Sequence, residues 1–71
     1  MKIIFSKNFP PSREILEYAY NCISEYRINL NDEQAFIDEE KKIVVVIKRL
    51  PKNIYKVIEY HHFDVIINKN I

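Results

Sequence analysis

Glu59, His61, His62 and Asp64 form the densest group of side chains in this chain that could do chemistry. Imidazole and carboxylate are common zinc ligands, so the group invites a metal reading. Its spacing argues against one. Adjacent histidines on a helix point about 100° apart, and a structural zinc site wants two histidines three to five residues apart with cysteine partners, whereas Cys22 is the only cysteine. His61 falls in line with Ile54, Val57 and Ile58 and reads as a half-buried packing residue. Cys22 sits in the centre of an apolar helical arc, where thiols are usually inert. No acid and base are paired, and nothing suggests an oxyanion hole. Glycine is absent, which excludes the phosphate-cradling loops of the Walker and dinucleotide types. We therefore expect no catalytic residue, no metal, no cofactor and no small-molecule substrate.

The elements that must position any other site follow from pattern. Lys2 to Ser6 is a short β-rich stretch, ended by Asn8 and the Pro10-Pro11 pair. Proline suits the first helical position and Ser12 can cap, so a helix is predicted from about residue 11 to 27. Ile15, Leu16, Ala19, Cys22, Ile23 and Tyr26 fall on one arc of it, with Glu14, Glu17, Asn21, Ser24 and Glu25 opposite. The connector Asn29-Leu30-Asn31-Asp32 follows. Ala35 to Asp38 and Ile43 to Lys48 are then two strands joined by the charged turn Glu39-Glu40-Lys41-Lys42. Pro51 is predicted to start a second helix to about residue 62, with Ile54, Val57, Ile58 and His61 along one side. Phe63 to Asn68 would be the last strand.

This order, β-α-β-β-α-β over residues 1–71 as a single domain, predicts a ferredoxin-like α+β fold: a four-stranded antiparallel sheet with two helices on one face. An α+β meander in which the short second helix does not pack beside the first is the alternative. Side chains alternate across a strand. Ile3, Phe5, Ala35, Ile37, Ile43, Val45, Ile47, Val65 and Ile67 are assigned to the helices. The opposite face then receives Ile4, Phe36, Val44, Val46 and Ile66, rimmed by Lys2, Ser6, Asp38, Lys48, Asp64 and Asn68, with no helix left to cover it. An apolar patch with a polar rim usually marks an interaction surface. Burying five such side chains is worth roughly 8 to 15 kcal/mol gross, against an association cost on the order of 4 to 15 kcal/mol. Two copies facing each other bury the patch twice, so a sheet-to-sheet homodimer is expected.

Charge is divided along the chain. Residues 1–40 carry four Lys or Arg and eight Asp or Glu (−4), and residues 41–71 carry seven and two (+5), giving the formal net charge of +1. Glu14, Glu17 and Glu25 give the first helix an acidic outer face, suited to a basic groove on a nucleic-acid-handling partner. Lys48, Arg49, Lys52 and Lys56, with Tyr55 nearby, could form a basic and aromatic patch around the second predicted helix that would suit phosphates and bases. The first residues hold too few apolar side chains for a signal peptide, and no run approaches the roughly 18 of a membrane span, so a cytoplasmic location is expected. Thirteen Ile, eight Lys and seven Asn imply AT-rich coding. In so short a chain that bias suits a virus- or phage-encoded modulator of a host enzyme. The predicted function is a small, non-enzymatic protein-binding module, an inhibitor or regulator, acting through the open sheet face or the acidic helix face. A nucleic-acid-binding module is the alternative.

Overall fold

A computed structural model describes residues 1–7 and 9–63. It contains strand β1 (Lys2–Phe5), helix α1 (Arg13–Glu25) and strands β2 (Glu33–Asp38), β3 (Ile43–Leu50) and β4 (Ile54–His62). The strands form one sheet in the order β1-β4-β3-β2, with β1 parallel to β4 and the other two pairings antiparallel. The ferredoxin-like expectation is overturned: among the described residues there is one helix, not two, and the sheet is mixed. The segment predicted as a second helix is β4, in the middle of the sheet. The predicted last strand, Phe63 to Asn68, lies outside the described residues except for Phe63, whose N–H donates to the Lys42 carbonyl at 2.9 Å.

A β-bulge explains the misreading. β4 pairs with β3 in one register from Ile54 to Val57 and in another from Glu59 to His62, which leaves Ile58 as the extra residue. A strand with such an insertion keeps Tyr55, Val57 and Tyr60 on one side, so its apolar positions no longer alternate. Ile54, Val57, Ile58 and His61 then mimic the i, i+3, i+4, i+7 spacing of a helix. The residue types favoured a strand all along, since Ile, Val and Tyr suit a pleated surface. Pro51 opens a tight turn, Pro51-Lys52-Asn53, between Leu50 and Ile54.

Helix α1 forms where the sequence places it. Ser12 caps it, its Oγ accepting from the Ile15 N–H at 3.2 Å. Ile15, Ala19, Cys22 and Ile23 are buried against β3 and β4. Leu16 and Tyr26, expected on the same arc, are about half exposed at 45% and 57%. The core adds Ile28, Phe36, Ile43, Val45, Ile47, Val57 and Tyr60. Tyr60 is fully buried, yet its hydroxyl is satisfied, donating to the Phe9 carbonyl at 3.0 Å. That bond and the edge-on contact of its ring with Phe5 hold the β1–α1 connection onto the sheet.

Candidate docking face of the sheet

Cross-strand partners share a face, so the registers sort the side chains into rows. On the face away from α1, Ile37, Val44 and His61 make one row, and Ala35, Val46 and Glu59 the next. Glu33, Lys48, Lys56 and Ile4 follow, and Leu50, Ile54 and Lys2 close the series. Aliphatic side chains dominate the rows at both ends, and between them lie a row with Val46 beside Glu59 and a row with Lys48 beside Lys56. No described element covers this face. Its apolar side chains are half-buried by their neighbours, apart from Ile37 and Ala35 at the β2 edge, which are exposed.

The face expected from the sequence is thus present with altered membership. Ile4, Val44 and Val46 lie on it as predicted. Phe36 does not: it is 8% exposed on the helix side, against the Tyr26 ring at 5.4 Å. Ala35 and Ile37, assigned to the core, take the open face instead. The cause is the turn. Asp38 pairs with Ile43 across Glu39–Lys42, and the Asp38 carboxylate accepts from the Glu40 and Lys41 N–H groups at 3.0 and 3.1 Å. A four-residue loop closed this way sets Phe36 opposite the core residue Val45. Asp38, expected on the open rim, shares the helix side with Ile43. Ile66 lies outside the described residues, as do Asp64 and Asn68.

The predicted basic patch is divided. Lys48 and Lys56 face each other across β3 and β4 on the open face, whereas Arg49 and Tyr55 are paired on the helix side. Arg49 Nη1 donates to the Ile28 carbonyl at 3.0 Å, committing that side chain to the loop after α1. Lys52 sits in the turn with φ 65°. The acidic helix face is arranged as expected, with Glu14, Glu17 and Glu25 exposed, but Glu17 Oε2 accepts from Arg13 Nε at 3.1 Å, which offsets part of its charge.

Sequence reasoning missed Glu59 and Lys56 as residues of the open face. The bulge at Ile58 brings them to the same side although they are three positions apart, and only a strand reading of 54–62 could have found them. The Glu59, His61 and His62 cluster is split by the same strand geometry. His62 turns to the helix side, its Nε2 3.0 Å from Ser12 Oγ. Among the described residues no three His, Cys, Asp or Glu come together as a metal site. Burial pushes the Cys22 thiol above its usual pKa, and burial with the neighbouring Cys22 raises that of the Tyr18 hydroxyl. A thiol held protonated is a poor nucleophile.

No family model, curated protein or solved structure matches this chain. The functional reading therefore rests on its own residues. Among the described residues no helix is long and apolar enough to cross a membrane.

Proposed function

We propose that this chain is a small, non-enzymatic protein-binding module of the cytoplasm that inhibits or regulates its target, and that it docks through the open face of its sheet. The observation that carries this reading is the set of aliphatic side chains Ile4, Ile37, Val44, Val46 and Ile54 on one face of the sheet, which no described element covers. Such a surface gains most from contact with another apolar protein surface. A second copy of the chain meets that requirement automatically. Arg49 and Tyr55 lie on the opposite side of the sheet from Lys48 and Lys56, which weighs against the nucleic-acid alternative.

The test is a double substitution, Val44→Lys with Val46→Lys, examined by analytical ultracentrifugation and used beside the unaltered chain as bait in the native cell. Both valines are half-buried on the open side, so the fold should persist by circular dichroism. Self-association and a specific captured protein should both be lost. If sedimentation and the captured set are unchanged, the face is not the docking surface.

A further inference from the structure

We propose that the open face is self-complementary in one orientation: two copies stack about a two-fold axis that crosses the strands, so that β4 lies antiparallel to β4 of its partner and Lys56 of each copy meets Glu59 of the other. This rests on the docking role of the open face and specifies its occupant and its register.

The arrangement follows from neighbouring rows of opposite character. One row holds Lys48 and Lys56 directly opposite each other, and the next holds Glu59 beside Val46. Like charges placed opposite each other across strands are unfavourable. Glu33 can offset Lys48, its partner on β2, but Lys56 is flanked by Lys48 and Ile4 and has no carboxylate in a salt bridge among the described residues. Glu59 is half exposed and bound on one oxygen by Lys7 at 3.5 Å, and its other oxygen has no partner among the described residues. A two-fold axis between these rows exchanges them. Each Lys56 then receives a carboxylate, twice per dimer, and each Lys48 stem covers a Val46. The outer rows also match, Leu50 and Ile54 of one copy lying over Val44 and His61 of the other. The other in-plane axis, along the strands, would leave each row facing its own kind and set Lys48 and Lys56 against the same lysines.

The area suits weak, reversible self-association. Four strands of 4, 6, 8 and 9 residues present roughly 430 Å². Two copies would bury at most about 860 Å², the size of a weak, reversible interface. At that size the charged pairs decide orientation, since like-charge juxtaposition suppresses the wrong docking.

Charge reversal tests the register. Lys56→Glu and Glu59→Lys, each in the full chain, should weaken self-association about tenfold or more in sedimentation equilibrium at low salt, and the double variant should recover to within about threefold of the original. Far-UV circular dichroism and urea midpoints establish that each variant is folded. A double variant no better than the single ones overturns the antiparallel register. A chain that stays monomeric to millimolar concentration overturns the second copy as occupant, and it leaves the docking face itself standing if Val44→Lys with Val46→Lys still abolishes capture of another protein. Self-association that survives those two lysines locates the contact elsewhere and overturns both.

Discussion

Strand β3 is a direct comparison of two environments, because its residues alternate between them. Ile43, Val45 and Ile47 point toward α1 and are completely buried, while Val44 and Val46, of the same chemical kind and one residue away, are only half-buried. The helix accounts for the difference. It crosses from one edge strand, β1, to the other, β2, and lies over the two central strands on one side only. Residue type along this strand therefore reports β structure without reporting which side is covered, and the apolar surplus on the open side is what a binding surface needs.

The largest test of this contrast is truncation on the two sides. Ile47→Ala should lower stability by about 2–5 kcal/mol, since it removes fully buried atoms beneath the helix and leaves a cavity. Ile37→Ala, at a site 59% exposed, should change it by about 0.5 kcal/mol or less in the monomer. Urea midpoints measured at low protein concentration decide the matter, and equal losses at the two positions would mean that the open face is covered too.

The covered side should also respond to alkali. The folded-state pKa of Cys22, and likewise that of Tyr18, lies above the unfolded value. Above about pH 8.5 the unfolded chain therefore gives up the thiol proton before the folded one does. Stability is full below that value and declines as pH rises through it, with a slope of at most ~1.4 kcal/mol per pH unit while the thiol is the only group releasing its proton in the unfolded chain. Cys22→Ala should flatten the first part of the decline between pH 8.5 and 10. Identical profiles for the two proteins would contradict the burial of the thiol.

The smallest expected effects lie in the turns that set which side each strand presents. With no glycine in the chain, Lys42 and Lys52 occupy the left-handed region at φ 57° and 65°. Replacing either by glycine relieves a steric cost of roughly 1–2 kcal/mol and returns part of it as unfolded-state entropy, so a net gain of about 0.5–1 kcal/mol is expected. For a chain of this size that should raise the melting temperature by about 2–8 °C in calorimetry. A fall at both positions would show that these turns are not held as described.

Much of this was legible in local pattern. Ser12 and the apolar arc around Ile15, Ala19, Cys22 and Ile23 specify α1 without help from the rest of the molecule. The first three strands follow from β-branched runs and from the charged turn Glu39–Lys42. That same turn also fixes Phe36 as a core residue, because a four-residue loop between Asp38 and Ile43 leaves no other pairing, and the assignment of Ala35 and Ile37 to the core ignored it. Residues 54–62 were not legible in this way. A bulge inserts one residue into an alternating pattern, and the result has helical spacing.

Composition, helix α1, the first hairpin and the existence of an apolar surplus were determined by the sequence alone, since each depends on interactions spanning a few residues. Tertiary structure decided that residues 54–62 are a strand, because that choice is made by hydrogen bonds to β3 on one side and to β1, some fifty residues away, on the other. It decided as well that Lys56 and Glu59 share the open face. A side chain's direction in a bulged strand is set by the register of its neighbours, which no local period encodes.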